Sequence, residues 1–158
     1  MKTAIVVASK HGTTVEIARR ISDALGGDAQ IFNLDDDPHP NVTDYNTVVL
    51  GTAIYAGDPR AQMKAYLKLV DLSGKRLGLF ISGMLPSADQ QAKQLEDAFP
   101  AGLHEQAVTA KYLGGAYQFD KLSRFERFVV KRFAKAHEDV DAIDDDSIAE
   151  FARELAAK

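Results

Sequence analysis

Six consecutive residues near the N-terminus, Ser9-Lys10-His11-Gly12-Thr13-Thr14, place three hydroxyls and a glycine between an apolar run and a helical pattern. A strand that leads through such a loop into a helix offers an anion the helix's first backbone N–H groups, the positive end of its dipole and nearby hydroxyl donors. Gly12 lets the backbone come close to a ligand. The spacing therefore predicts a phosphate cradle. Neither G-x-G-x-x-G nor G-x-x-x-x-G-K-[ST] occurs, so it is neither a dinucleotide fingerprint nor a Walker loop, and "SGK" at 73–75 reads as the exit turn of a helix. A Ser/Thr-rich helix cap with no ligand is the competing reading.

Three further loops share this small-residue character. Ala53-Ile54-Tyr55-Ala56-Gly57 opens "AIYAGDPR" (53–60), Ser82 leads into Gly83-Met84-Leu85 of "GMLPSA" (83–88), and Gly114-Gly115-Ala116-Tyr117 opens "GGAYQFDK" (114–121). Tyr55 and Tyr117 can flank a flat ring, and Ile54, Met84 and Leu85 supply apolar walls. A single phosphate cradle beside apolar and aromatic loops suits a mononucleotide.

The elements that must position these loops follow from periodicity. Residues 4–8, 29–34, 46–52, 76–82 and 107–113 read as strands, most of them buried on both faces. Between them lie helical patterns. The first carries Ile17, Ala18, Ile21, Ala24 and Leu25 and stops at Gly26-Gly27. The second is expected to start at Asp58 as N-cap with Pro59 in its first turn, burying Met63, Tyr66, Leu67 and Val70. The third opens on the capping-box pair Ser87 and Gln90 and repeats Ala88, Ala92, Leu95 and Phe99. The last starts near Ser147 and buries Ile148, Phe151, Ala152 and Leu155. Such alternation specifies an α/β fold, a parallel sheet with helices on both faces, whose ligands sit beyond the carboxyl ends of the strands. All four loops follow strands and fall on that edge.

Composition narrows the chemistry. The 158 residues suit one domain spanning 1–158, and with 46% hydrophobic and 27% charged residues the chain is an ordinary globular sequence. A net charge of -4 gives no nucleic-acid footprint. Without cysteine there are no disulfides, thiol redox chemistry or iron–sulfur clusters, so redox work would need a borrowed cofactor. No metal-ligand spacing occurs, and Asp35-Asp36-Asp37 before Pro38 reads as a solvated turn. The start "MKTAIVVA" is too short for a signal peptide and no run approaches the roughly 18 apolar residues of a spanning helix, which points to the cytoplasm.

The segments "SKHGTT" with "EIA" after it, "GTAIYAG" and "GGAYQFDKLSRFERFVVKRFAK" together resemble the flavodoxin superfamily and, more narrowly, its menaquinone-dependent protoporphyrinogen IX dehydrogenase branch. The likeness covers nearly the whole chain and is most specific at 114–135. It implies a flavodoxin-like three-layer sandwich, a five-stranded parallel sheet of order 2-1-3-4-5, FMN held by the four loops, and electrons passing from a porphyrinogen through the flavin to a quinone in haem biosynthesis. The carriers' phosphate loop reads T-x-T-G-x-T, whereas here His11 takes the place of the second hydroxyl residue with Lys10 beside it. No residue stands out as catalytic acid or base; His39, His104 and His137 fall in loops or near helix ends.

An extra helix is expected over 122–136, with Phe125, Phe128, Val129, Phe133 and Ala136 on one face and Arg124, Arg127, Lys131 and Lys135 on another. It either lies on the inner face of an anionic membrane, where quinone is stored, or packs its phenylalanines on the sheet. The acidic stretch "EDVDAIDDD" after it reads as a solvated connector. Two alternatives stand beside the enzyme: a small FMN electron carrier with a redox protein partner, and a phospho-receiver domain. The receiver would want acidic residues and a lysine where this chain has Ser9-Lys10, Gly51-Thr52 and Gly114-Gly115, and ranks last.

Overall fold

The computed structural model describes residues 2–10, 12–55, 57–117 and 140–157, with the backbone alone for 55, 116, 117, 140 and 141. Five strands form a parallel sheet: β1 (Thr3–Ala8), β2 (Gln30–Asn33), β3 (Thr47–Tyr55), β5 (Arg76–Ser82) and β6 (Ala107–Tyr112). They lie in the order β2-β1-β3-β5-β6, which is the expected 2-1-3-4-5 when the long strands are counted alone. A short β4 (Asp58–Pro59) folds back antiparallel on the end of β3, pairing Ile54 with Pro59 and Tyr55 with Asp58. The described residues also form five helices: α1 (Thr13–Ala24), α2 (Ala61–Leu67), α3 (Ala88–Ala98), α4 (Ala101–Gln106) and α5 (Asp145–Ala156).

The continuous apolar reading of β1 has a direct cause, because both faces of the strand are covered. Ala4, Val6 and Ala8 face one core with Val48, Leu50, Leu79, Met63 and Phe99, while Ile5 and Val7 face the other with Ile17, Ile21, Phe80, Phe151 and Leu155. The second core is dense. Phe80 and Phe151 meet edge to face at 6.2 Å between ring centres, and a Cβ on Gly51 would sit 2.1 Å from the Phe80 ring. A glycine in the middle of β3 is thus the space into which Phe80 packs. Burying a side chain of this size contributes about 1.5 to 3 kcal/mol.

Two polar devices fix the far edge of the sheet. Arg76, at the start of β5, donates from Nε to the Leu155 carbonyl at 2.6 Å and from Nη2 to the carbonyls of Glu154 and Ala157, capping the C-terminus of α5. The Tyr66 hydroxyl donates to the Pro40 carbonyl at 3.0 Å, and burial, with the Asp37 carboxylate second, pushes its pKa up to about 12.

Several expectations are corrected. Asp58 and Pro59 form β4 and do not cap α2, whose N-cap is Arg60; α2 ends at Leu67, so Val70 lies beyond it. Strand β3 runs on to Tyr55, placing Ala53, Ile54 and Tyr55 in its end rather than in a loop. Ala88 and Ala92 are exposed, and α3 turns Gln91, Gln94, Leu95 and Ala98 inward. Asp144 to Asp146 belong to the start of α5, so this end of the acidic stretch is not a free connector. The short α4, and a small antiparallel pair of β7 (Ala116–Tyr117) with β8 (Val140–Asp141), had no counterpart in the sequence reading. The expected helix at 122–136, His11, Ala56 and His137 lie outside the described residues. Among the described residues no helix is long and apolar enough to cross a membrane.

Candidate functional site

The loop after β1 is held from inside the protein. The Gly12 N–H donates to Ser9 Oγ at 3.0 Å, Ser9 is buried, and Asn33 Nδ2 donates to the Ser9 carbonyl at 3.4 Å. Helix α1 starts at Gly12 with φ 89°, a left-handed conformation that disfavours any side chain, so its N-cap residue has none to contribute a capping bond. Among the described residues, a Cβ on Gly12 would meet nothing beyond its chain neighbours within 4 Å. Thr14 is fully buried, and its hydroxyl shares a hydrogen bond of 2.9 Å with Ser82 Oγ, so two of the expected site residues tie the first loop to the end of β5.

The β3 end is tied across the sheet as well. The buried Thr52 hydroxyl donates to the Ala53 carbonyl at 3.0 Å and accepts the Arg60 N–H at 3.2 Å. Arg60 Nη2 meets Asp35 Oδ2 at 2.6 Å, so the first carboxylate of the expected solvated turn anchors the loop after β2 to the start of α2. Gly57, with φ 87°, turns the chain into β4 and, like Gly12, has open space where a Cβ would be.

The glycines of the last two loops have a different cause. A Cβ on Gly83 would lie 2.4 Å from the Tyr112 hydroxyl, one on Gly114 2.1 Å from the Ala142 carbonyl, and one on Gly115 2.9 Å from the Gly83 carbonyl. The Gly83 N–H donates to the Gly114 carbonyl at 3.0 Å, locking the two loops together. These three positions are small because the protein packs against itself there, whereas at Gly12 and Gly57 no other described residue would meet the added Cβ. Met84 and Leu85 are half-buried, and a cleft of about 390 Å³ between the β3–β4 turn and α3 is lined by the apolar Ile54, Leu85 and Ala98 together with the charged Asp58, Lys93 and Asp97.

The structure thus brings together Ser9, Gly12, Thr13, Thr14, Ala53, Ile54, Ser82, Gly83, Met84, Leu85, Gly114 and Gly115 along the carboxyl edge of the sheet, with Lys10 exposed at its margin. Tyr55, Ala116 and Tyr117 contribute backbone at this edge. The sequence reading missed Asn33, Thr52, Arg60, Gln91 and Tyr112. The polar Thr52 and Asn33 at the ends of apolar strands were a visible signal; the partners of Arg60, Gln91 and Tyr112 lie in other elements and left none. No group of three or more metal-ligating side chains occurs among the described residues.

Comparison with known proteins agrees with this architecture. No curated protein matches the chain in sequence. Among solved structures, the flavodoxin of Streptococcus pneumonia TIGR4 superposes with a TM-score of 0.63, 19% identity and 99% of each chain covered. A Fusobacterium nucleatum flavodoxin bound to flavin mononucleotide gives 0.58 and 22% identity, over 98% of this chain and 97% of that one. Flavodoxin 2 of Bacillus cereus gives 0.57 and 16%, over 99% and 98%. These likenesses speak for the fold. Residues 4–144 match the flavodoxin domain family, spanning β1 to the N-cap of α5 and therefore all four loops, and the chain belongs to that family.

Proposed function

We propose that this protein binds FMN at the carboxyl edge of its sheet and serves as an electron carrier between redox protein partners. The observation that carries the reading is the start of α1, a left-handed glycine whose missing side chain would meet no other described residue, at the head of a helix inside a chain of the flavodoxin domain family. The residues present fit the cofactor. The first N–H groups of α1 are placed for a phosphate, with the Thr13 hydroxyl and Lys10 beside them, and the apolar Ile54 and Leu85 stand where a ring needs walls. The similar Fusobacterium nucleatum protein is described with this nucleotide bound.

FMN, when bound, supplies reversible electron uptake and release that a chain without cysteine or a metal cluster lacks. The chain's own part is to bind and to hold. The α1 terminus would face the phosphate with the positive end of its dipole, the Thr14–Ser82 bond fixes the first loop relative to β5, and the Arg60–Asp35 pair fixes the turn that follows β3. A rigid site of this kind limits the rearrangement that accompanies electron transfer.

A second reading, oxidation of protoporphyrinogen IX with a quinone as acceptor, is favoured by one sequence observation. The aromatic and basic segment at 114–135 resembles the protoporphyrinogen IX dehydrogenase branch more than the carriers, and residues 122–136 would give the protein a peripheral membrane contact. Apoprotein titrated with FMN and riboflavin should prefer FMN; equal affinities would sink the phosphate assignment. Holoprotein should then be reduced by a flavodoxin reductase and pass electrons to a protein acceptor. Anaerobic flavin reduction by protoporphyrinogen IX, with reoxidation by menaquinone, would decide for the second reading.

A further inference from the structure

Leu85 sits in the irregular stretch between β5 and α3, yet both of its main-chain groups are held by side chains from two other elements. Its N–H donates to the Tyr112 hydroxyl on edge strand β6 at 2.9 Å, and its carbonyl accepts from Gln91 Nε2 on α3 at 2.7 Å. Loops of this length ordinarily leave such groups to water. The Tyr112 hydroxyl reaches Leu85 through the space that Gly83 leaves: a Cβ on Gly83 would stand 2.4 Å from that oxygen and 3.2 Å from the ring carbon bearing it. Tyr112 is half-buried against the core that carries Met63 and Phe99, so its ring is a fixed post. Ahead of the clamp, Leu85 lines the cleft with Ile54 and Gly57.

We propose that Tyr112 is a positioning residue for the cofactor's ring, acting through the Leu85 amide, and that Gly83 is glycine so that this contact can form. The inference rests on the FMN reading above. Tyr112 sets where Leu85 and the backbone of residues 83–87 stand, and hence the wall and the main-chain dipoles met by the ring end of the nucleotide. The phosphate end is held by other elements, so Tyr112 affects binding of FMN and riboflavin alike.

The test uses Tyr112→Phe, which deletes one oxygen and keeps the ring, with Gly83→Ala as a second route to the same break. In apoprotein, hydrogen exchange at the Leu85 amide should quicken several-fold in either variant. Affinity for FMN and for riboflavin should fall by the same factor, about fivefold, equivalent to about 1 kcal/mol. The double variant should be no worse than Gly83→Ala alone, because the new methyl then faces a ring without its hydroxyl, and a double-mutant cycle reads this directly. Unchanged exchange at Leu85, an additive cycle, or a loss confined to FMN would overturn the role of Tyr112. Faster exchange with unchanged affinities would overturn it while leaving the FMN reading intact. Failure of the wild-type chain to bind either flavin would overturn the FMN reading and the positioning role together.

Discussion

Three helices of eleven or twelve residues begin at the carboxyl edge of the sheet, and they begin differently. At α3, Ser87 Oγ accepts the Gln90 N–H at 3.4 Å. At α5, Asp144 accepts the Ser147 N–H at 3.0 Å and the Ser147 hydroxyl at 2.7 Å, while the Asp144 N–H reaches back to the Leu113 carbonyl just past β6. At α1 the N-cap is Gly12, left-handed and with no side chain to cap the helix, and its own N–H goes to Ser9 Oγ. Stability alone would favour a cap at all three, since losing one costs roughly 1 kcal/mol. A helix whose N-cap residue makes no such bond at the carboxyl edge can offer its first turn to an anion, and the contrast sets starts built for folding beside one suited to binding.

Placing a side chain at the uncapped start should produce the largest effect. Gly12→Val puts a branched residue where φ is 89° and fills open space beside the α1 donors. FMN affinity is expected to fall on the order of a hundredfold, about 2.7 kcal/mol, with riboflavin affinity changing far less. Parallel titrations measure both, and equal losses would mean that the site, not the phosphate contact, had been damaged.

Breaking the link between the two loops should come next. Thr14→Val or Ser82→Ala leaves a buried hydroxyl without its partner at 2.9 Å, a loss of about 1 to 3 kcal/mol in stability. FMN affinity should fall roughly tenfold, by release of the phosphate loop, when a charge-assisted contact of about 1.5 kcal/mol is lost. Denaturant melts and flavin titrations of both single variants and the double should show that the effects do not add, because either change already breaks the same bond.

The capped start provides the converse. Asp144→Ala should lower stability by about 1 kcal/mol and leave FMN affinity unchanged. The Ser147 hydroxyl, and then its backbone N–H, hold the Asp144 carboxyl below the usual carboxylate range. A carboxyl depressed in the folded state contributes stability that is present above its unfolded pKa, near 4, and lost as pH falls through the folded value. Acid melts of the wild type should therefore show a decline below about pH 4 that is shallower in Asp144→Ala.

What was legible in the sequence followed local physics. The unbroken apolar run of β1, the Ile17, Ala18 and Ile21 face of α1 with its end before Gly26-Gly27, and the inner face of α5 each depend on neighbours in the chain, and the structure bears them out, while Ala24 of the same α1 pattern is exposed. The errors arose where one signal met a competing partner, near or far in the chain. Asp58-Pro59 carries the chemistry of a helix start, yet pairing with Ile54 and Tyr55 draws it into β4. The glycines of the last two loops look like ligand-facing residues until Ala142, Gly83 and the Tyr112 hydroxyl occupy the space beside them. Helix α3 turns two glutamines inward, and Gln91 is spent on the Leu85 carbonyl, a use that no hydrophobic period reveals.

Lys10 offers the smallest and most diagnostic test of the same contrast. It is exposed at the margin of the first loop, one residue after Ser9, whose hydroxyl accepts the Gly12 N–H. If the uncapped α1 start holds a phosphate by backbone donors alone, the charge it meets is a fixed dipole at short range, and added salt should change FMN affinity little. If Lys10 supplies part of the countercharge from solvent, its contribution is screened, because the Debye length shrinks from about 10 Å at 0.1 M to about 3 Å at 1 M. A solvated charge contributes at most about 1 kcal/mol, so wild-type affinity should weaken two- to fivefold over that range. Lys10→Ala should start two- to fivefold weaker at low salt and then show almost no further dependence, the two proteins converging at 1 M. Identical slopes in both proteins would assign the screened charge elsewhere and leave α1 to bind the phosphate unaided by this side chain.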